Sequence, residues 1–375
     1  MSRTLFWSVL LLSTSQVLAG CSSCNEGQFR DPDENPVDDP IGDPAPTNLG
    51  SWLSLDAAPD GTQLTLAFYD LDAGALGFAE GLPNEDGTVA WRHERVDGYP
   101  ESSGLDPVNA GKFASHRVAA DGTVWAAYQD VRNEQLRVTS RTAPSTWVEP
   151  ANLEPGGQWV SLDLDEAGQP VVAHCDPEAG AVRLLRFADG AWSGETLHTS
   201  TAVSHTRVFA DGGIVYVAFR EEASEGAGKL MLATVDGADV SVAEIDADGD
   251  VGAWPSIGRD GAALVIAYHD VGRQDLRVAI STEDGRWRRS VIDEGELRGA
   301  DTEVFSLGGE LSIVYFDGRE NDLMLARRIA GDWRSERIGT DGALGYHNEV
   351  AFTAGQWFVG SFDQGRRDLF LRVLE

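Results

Sequence analysis

The chain has 375 residues, 42 of them glycine, and a formal net charge of −32 at neutral pH. A surface this negative repels nucleic-acid phosphates and anionic lipid, which excludes nucleic acid as a partner. The chain has three cysteines and no HExxH motif. Because no Cys/His pairs recur at zinc-binding spacing, a structural zinc site is excluded. We expect neither a metal nor a cofactor.

The N-terminal segment has the features of an export signal. Arg3 precedes the apolar run 5–12, which is too short to span a bilayer. The run leads to Leu18-Ala19-Gly20-Cys21, which resembles the lipobox of bacterial lipoproteins. The resemblance implies a signal peptide over residues 1–20, acylation of Cys21, and lipid anchoring in the bacterial cell envelope. Ser22, where inner-membrane retention usually needs Asp, favours the outer membrane. An ordinary secretory signal is the alternative.

Residues 21–49 predict a disordered acidic tether. Aspartates alternate with prolines there, at Asp31, Asp33, Asp38, Asp39 and Asp43 and at Pro32, Pro36, Pro40, Pro44 and Pro46. Like charges and proline keep such a segment extended, and it has too few apolar residues to fold. Cys24 in this segment and Cys175 further on are a possible disulfide pair in an exported protein, and the sequence leaves this open.

Residues 50–375 carry an internal repeat. In its clearest copy, short β-rich runs at 256–259, 264–269, 276–280 and 287–292 are separated by Gly and Asp turns. An acidic residue closes the second run of each copy: Asp70, Asp130, Asp176, Glu221, Asp270, Asp317 and Asp363. A period of roughly 40–50 residues with four strands is typical of propeller blades. We predict an all-β protein, a seven-bladed β-propeller of four-stranded antiparallel blades.

Two parts of the chain depart from the regular repeat. The spacing between the first two copies is longer, which we assign to an insertion around Tyr99 to Gly111. The last copy, Tyr346 to Glu375, predicts three strands. An open fourth position leaves a strand edge unpaired, so we expect Pro46 to Ser51 to pack near it.

The meander topology places the start of every first strand and the end of every second strand on one face, the top face. Ligand sites of propellers usually gather there, at the mouth of the central channel. The seven acidic residues that close the second strands lie on this face. They are candidates for cation binding or catalysis, but repetition in every blade favours a structural role, in which each accepts hydrogen bonds from the following turn.

A second set on the top face varies from blade to blade. Three positions before the apolar anchor of each first strand are Trp52, Ser115, Trp159, His205, Trp254, Asp301 and His347, and one position before it are Ser54, Arg117, Ser161, Arg207, Ser256, Glu303 and Glu349. Trp suits stacking on sugar rings and Arg suits a carboxylate. The candidate binding residues are therefore Trp52, Arg117, His205, Arg207, Trp254, Glu303, Tyr346 and His347. Alternatively, the Trp residues wedge between blades and the Arg–Glu pairs are internal salt bridges.

One turn carries a family resemblance. Ser281-Thr282-Glu283-Asp284-Gly285-Arg286-Trp287 resembles a shortened Asp-box, the S-x-D-x-G-x-T-W turn of sialidase-like propellers, and 188–192 and 330–333 are more degenerate copies. In that family the turn is structural and lies away from the active site. Sialidases have six blades and bind the substrate carboxylate with three Arg, whereas this chain offers Arg117 and Arg207 at the matching positions.

Two functional hypotheses follow. The first is a binding module, tethered to the cell surface, that recognises a glycan or a protein partner through the top face. The second is a sialidase-like glycoside hydrolase, which needs two carboxyl groups roughly 5–10 Å apart. Because the variable set does not repeat one binding motif in each blade, a single central site or a protein interface is favoured. The sequence assigns no catalytic residue.

Overall fold

The computed structural model describes residues 50–84, 87–98, 109–222, 227–295 and 297–374. Within these ranges the chain forms strands β1 to β28, no helix, and seven separate sheets. The predicted seven-bladed propeller is confirmed. The predicted signal peptide, the predicted tether and residues 99–108 of the predicted insertion lie outside the described ranges. The described residues include no helix long and apolar enough to cross a membrane.

The first three blades contain β1 to β13. Blade one consists of β1 (Ser54–Ala57), β2 (Leu64–Asp70), β3 (Ala75–Pro83) and β4 (Val89–Asp97). Blade two consists of β5 (Ala110–Val118), β6 (Val124–Asp130), β7 (Gln135–Ala143), β8 (Thr146–Trp147) and β9 (Ala151–Pro155). Blade three consists of β10 (Gln158–Leu164), β11 (Pro170–Asp176), β12 (Ala181–Ala188) and β13 (Ala191–Thr199).

The remaining four blades contain β14 to β28. Blade four consists of β14 (Val203–Asp211), β15 (Ile214–Glu222), β16 (Gly228–Asp236) and β17 (Asp239–Asp246). Blade five consists of β18 (Val251–Asp260), β19 (Ala263–Asp270), β20 (Asp275–Ser281) and β21 (Trp287–Asp293). Blade six consists of β22 (Arg298–Leu307), β23 (Glu310–Asp317), β24 (Asp322–Ile329) and β25 (Asp332–Gly339), and blade seven of β26 (Tyr346–Thr353), β27 (Gln356–Asp363) and β28 (Asp368–Leu374).

Two blades depart from the four-stranded pattern. In blade two the fourth-strand position is divided between β8 and β9, which both pair with β7. Pro150 lies between them, and proline has no N–H to donate to a strand partner. Blade seven has three strands within the described residues, as predicted.

The ring closes between blade seven and blade one. The Ala354 N–H donates to the carbonyl of Gly61 at 2.8 Å. Gly50, at φ +106°, lies against β28, where a Cβ atom would come within 3.3 Å of the Cα of Leu369. The segment expected near the open edge of blade seven therefore meets that blade at Gly50, while residues 46–49 lie outside the described ranges.

The core consists of seven apolar clusters, one at each blade interface. At the ring closure, Leu55 and Leu66 of blade one pack in one cluster with Phe358 and Leu369 of blade seven. Each blade is too thin to bury both of its faces alone, so the interfaces supply the hydrophobic stabilisation.

Buried polar contacts recur at these interfaces. A second-strand Tyr donates its hydroxyl to an Asp at the end of the fourth strand of the preceding blade, with O–O distances of 2.7 Å for Tyr128–Asp97, 2.6 Å for Tyr268–Asp246 and 2.5 Å for Tyr315–Asp293. All three Tyr side chains are fully buried. In blade three a His–Glu pair takes this place, with His174 Nε2 2.7 Å from Glu154 Oε1. We call these contacts the interblade latches.

Arginines of the third strands reinforce the latches. Arg137 lies 2.8 Å from Asp97, and Arg277 lies 3.3 Å from Asp246. Each is the middle residue of an apolar triplet, Leu136-Arg137-Val138 or Leu276-Arg277-Val278. The latches thus combine residues from three strands of two blades.

The acidic residues that close the second strands have the structural role that repetition favoured. Asp70 Oδ1 accepts hydrogen bonds at 3.0 Å from the backbone N–H groups of Asp72 and Ala73. The same turn contacts occur at Asp130, Asp176, Asp270, Asp317 and Asp363. Glu221 is the exception, because its longer side chain contacts His198 Nε2 instead.

Two further sequence features have defined positions. In the turn resembling an Asp-box, Thr282 N–H donates to the Arg286 carbonyl at 2.8 Å, and the turn joins β20 to β21 on the face opposite the channel mouth. Cys175 is fully buried as a free thiol, and burial raises its pKa. Cys24 lies outside the described residues.

We expect Tyr268→Phe to destabilise the protein by about 1–2 kcal/mol, because Asp246 loses a buried donor but keeps Arg277 and Arg289. Chemical denaturation measures the change. The control is Tyr216→Phe, a buried second-strand Tyr of blade four that stacks on Phe209 and forms none of the latches described above. Equal stabilities for the two variants would show that the latch contributes nothing.

Candidate functional site at the mouth of the central channel

One residue of each blade adopts a left-handed backbone conformation at the channel mouth. These seven residues, which we call the mouth ring, have φ between 47° and 57°: Trp52, Phe113, Trp159, His205, Trp254, Asp301 and His347. For a residue other than glycine, this backbone conformation is unfavourable by roughly 1–2 kcal/mol. In blades two to seven the pairing register with the second strand shifts at this point, so the first strand carries a β-bulge.

The structure corrects the predicted register in blade two. Ser115 pairs with Ala127 as Ser54 pairs with Ala67, so Phe113 and not Ser115 belongs to the mouth ring. The prediction took Val118 as the apolar anchor of the strand. The anchor position is in fact occupied by His116, which is fully buried.

A histidine fits this apolar position because both ring nitrogens have partners. Its Nε2 lies 2.9 Å from Thr65 Oγ1 and its Nδ1 lies 3.0 Å from Ser54 Oγ. Burial lowers the pKa of His116 to about 3, so the ring is neutral at physiological pH. Because His116 is polar, the sequence alignment of the repeats assigned the anchor position of blade two to Val118, two residues further on.

Aromatic contacts run around most of the mouth ring. Ring centroids lie 4.4 Å apart for His347–Trp52, 4.3 Å for Trp52–Phe113 and 5.1 Å for Phe113–Trp159. They lie 3.8 Å apart for Trp159–His205, which are stacked, and 4.7 Å for His205–Trp254. The aromatic sequence is interrupted in blade six, where Asp301 occupies the position.

The mouth ring surrounds a cavity of about 120 Å³. The cavity is lined by the whole mouth ring together with Leu53, Ala114, Val160, Thr206, Arg207, Pro255, Thr302, Asn348 and Glu349. Five of the eight predicted binding residues are therefore brought together here: Trp52, His205, Arg207, Trp254 and His347. A cavity of this size holds a small group and not a whole drug-sized ligand.

Below the mouth ring, a second layer contains a buried ion cluster. Arg207 Nη1 lies 2.8 Å from Glu349 Oε1, and Arg207 Nη2 contacts Glu303. The three residues come from blades four, seven and six and meet across the channel. The internal salt-bridge interpretation is confirmed for Arg207, which is not a free partner for a ligand carboxylate.

The other predicted residues lie away from the cavity lining. Arg117 lies two positions deeper than predicted, with its Nε 3.8 Å from Asp163 Oδ1 and its Nη1 donating to the His116 carbonyl. Tyr346 packs on Phe316, with ring centroids 4.4 Å apart. Neither residue lines the cavity.

The titratable groups of the mouth are shifted by burial. Burial raises the pKa of Asp301 to about 7, because the only offset is a hydrogen bond from the His347 N–H. Burial lowers the pKa of His205 to about 3 and that of His347 to about 4. Burial, with the charge of Glu349, raises the pKa of Glu303 against the opposing effect of Arg207. The histidines are thus neutral at pH 7, and Asp301 is near its titration midpoint.

The sequence prediction missed several residues of the site, among them Phe113 and Asn348. Phe113 was hidden by the register error in blade two. Asn348 follows a mouth-ring residue and donates to the carbonyl of Asp301 at 2.9 Å. The same position in blades four and six is a Thr that donates to the Trp of the preceding blade. A polar residue directly after the variable position in blades four, six and seven was the available signal. Among the described residues, no cluster of His, Cys, Asp and Glu is suited to a metal ion.

Comparison with solved structures shows the propeller fold. The chain is similar to polysaccharide lyase Uly1, with 8% identity, a TM-score of 0.52, and coverage of 84% of this chain and 88% of that one. It is similar to the Trypanosoma rangeli sialidase in complex with the inhibitor DANA, with 12% identity, a TM-score of 0.50, and coverage of 78% and 56%. It is also similar to an Aleuria aurantia lectin in complex with Fucα1-6GlcNAc, with 14% identity, a TM-score of 0.49, and coverage of 78% of this chain and 96% of that one. No protein-family model and no curated protein matches the sequence. At these identities the similarity concerns the fold alone.

We expect Arg207→Ala to destabilise the protein by roughly 3–5 kcal/mol, because it removes the guanidinium that pairs with both Glu303 and Glu349. Thermal unfolding measures the change. The matched control is Arg259→Ala, which removes an exposed pair with Asp211 and should cost about 0–1 kcal/mol. An Arg207→Ala protein that melts with the wild type would contradict a structural role for this guanidinium.

Proposed function

We propose that the chain is a lipid-anchored protein of the bacterial cell envelope whose propeller binds a glycan or a group on a partner protein at the mouth of its central channel. The lipobox-like motif ending in Cys21 and the acidic segment that follows it support the anchoring. The mouth ring supports the binding. The fold similarity to other propellers does not identify the ligand, so the proposal rests on this chain's own residues.

The observation that carries the binding proposal is the contrast between constant and variable positions. The turn aspartates recur in blade after blade, as scaffold residues do. The mouth ring instead presents three Trp, one Phe, two His and one Asp on the same backbone conformation. Left-handed residues other than glycine concentrate at functional sites, where the surrounding structure holds them. A single asymmetric site suits one central ligand.

The electrostatics of the mouth narrow the ligand class. Arg207, the one Arg that lines the cavity, is neutralised by Glu303 and Glu349. Among the described residues that line the cavity, no unpaired cation is therefore left for the carboxylate of an acidic sugar. The partly exposed rings of Trp52, Trp159 and Trp254 suit stacking on a sugar ring that carries no carboxylate.

A glycoside hydrolase is the second candidate, and one observation favours it. Burial raises the pKa of Asp301 to about 7, which is the property of a general acid. Against this, Arg207 bridges Glu303 and Glu349, so the space between these carboxylates is filled. The binding function fits the geometry better. Hydrolysis of chromogenic glycosides that is lost in Asp301→Asn would reverse this order.

Binding is tested on a glycan array with the full chain carrying Cys21→Ser to keep it in solution. We expect Trp254→Ala to weaken binding at least tenfold, because Trp254 lines the cavity. The control is Trp333→Ala, which removes a half-buried Trp at the start of β25. Glycan binding that both variants retain would place the binding surface elsewhere on the propeller.

Anchoring is tested by cell fractionation. The wild-type protein should sediment with membranes, and Cys21→Ser should release it into the soluble fraction, because acyl chains need the Cys21 thiol. Cys24→Ser is the matched control and should remain with the membranes. Wild type and Cys21→Ser found together in the soluble fraction would rule out the lipoprotein assignment.

A further inference from the structure

The cavity lining contains a buried hydrogen-bond acceptor without a donor. Asn348 is 5% exposed, and its Nδ2 donates to the carbonyls of Asp301 and Gly345 at 2.9 Å each. Carbonyls only accept, so these two bonds fix the orientation of the amide. Its Oδ1 has no partner among the described residues. A buried acceptor of this kind calls for a donor from outside the protein.

His205 provides a second unpartnered acceptor. Its Nδ1 lies 2.8 Å from Ser204 Oγ, and the Ser204 hydroxyl donates to Glu222. The Nδ1 therefore carries the proton, and Nε2 of the neutral ring is an acceptor. This Nε2 has no partner within the described ranges. Both unpartnered buried atoms of the cavity lining are thus acceptors.

The two Thr hydroxyls of the cavity lining are already committed as donors, and carboxylates predominate among the charged groups nearby. The Thr302 hydroxyl donates to the Trp254 carbonyl at 2.7 Å. The carboxylates of Asp301, Glu303 and Glu349 outnumber the single guanidinium of Arg207, and no described cation forms an ion pair with Asp301. Burial raises the pKa of Asp301, and no charge of a described cation offsets this effect. Asp301, which interrupts the aromatic contacts of the mouth ring, thus lies where a positive charge is lacking.

The aromatic part of the mouth already holds one ammonium group of the chain itself. Lys112 Nζ lies 5.5 Å from the ring centroid of Trp52 and 5.3 Å from that of Phe113. Such cation–π contacts are electrostatically favourable. Lys112 belongs to blade two, whereas Asp301 and Asn348 belong to blades six and seven. The second side of the mouth has the aromatic ring of Trp254 and the acceptors, but the described residues place no ammonium group there.

From these contacts we infer that the mouth cavity binds a protonated primary amine, which donates to Asp301 and to the Oδ1 of Asn348 and lies against Trp254. An ammonium group supplies three N–H donors and one positive charge, which matches the unpartnered acceptors and the uncompensated carboxylate. The inference rests on the proposed function and names the chemical group of the ligand. An amino sugar and a lysine side chain both carry this group.

Isothermal titration calorimetry with the full chain carrying Cys21→Ser tests the inference with two matched pairs of probes. One pair is D-glucosamine and D-glucose, and the other is Nα-acetyl-lysine N-methylamide and its norleucine counterpart. We expect at least one amine to bind tenfold or more tightly than its neutral partner. Binding of glucosamine identifies an amino sugar as the source, and binding of the lysine compound identifies a lysine side chain. Equal or absent binding within both pairs overturns the inference.

A variant pair localises the effect. Asp301→Asn should weaken amine binding at least tenfold, and Asn tolerates the left-handed backbone at this position. The control is Asp60→Asn, which changes an exposed turn carboxylate on the opposite face. Amine binding that Asp301→Asn retains assigns the amine to another surface and overturns the inference. If the array shows glycan binding sensitive to Trp254→Ala but the calorimetry shows no preference for amines, the inference fails and the proposed function stands. Failure of both experiments removes both.

Discussion

The left-handed residue in each first strand is the constraint on which the mouth depends. In blades two to seven the pairing of the first strand with the second strand shifts at this residue. One side chain of each blade lines the cavity as a result. The residue that follows is then placed next to the preceding blade, where Thr206, Thr302 and Asn348 donate to main-chain carbonyls. A conformation that is unfavourable for an isolated residue is held by contacts from two blades. The backbone is thus constant while the side chain is free to vary.

Stability and recognition are assigned to different positions of the same repeat. The latches lie between the sheets, and the turn aspartates bind their own loops, so neither depends on which residue stands at the mouth. Between these two regions lies the Arg207 cluster, which crosses the channel and neutralises charge directly beneath the cavity. An arginine placed among glutamates by the repeat became a structural residue. Asp301, one layer above, is the carboxylate to which we assign the proposed ligand.

The blade count could be predicted from the sequence because turn chemistry is local. Asp70 and its equivalents bind N–H groups two and three residues on, so their spacing reports the fold directly. Position within a strand depends on the neighbouring blade, and there the prediction failed. His116 is buried like an apolar anchor only because Ser54 and Thr65 of blade one provide hydrogen bonds. The latch Tyr recurs in the sequence two residues before the turn Asp. The Asp that accepts its hydrogen bond belongs to the preceding blade, so the repeat alone does not reveal the pair.

The closure of the ring has a kinetic consequence. The Thr353 hydroxyl donates to the Gln63 carbonyl across 290 residues of sequence, and the Phe358 and Leu55 side chains share one cluster. Contacts between such distant parts of a chain form late, since the intervening loop entropy must be lost first. During synthesis, one apolar face of blade one stays exposed to solvent until blade seven has left the ribosome and can pack against it. Until then the ring of blades is not closed. A chaperone that shields the apolar face of the first blade would act in this interval.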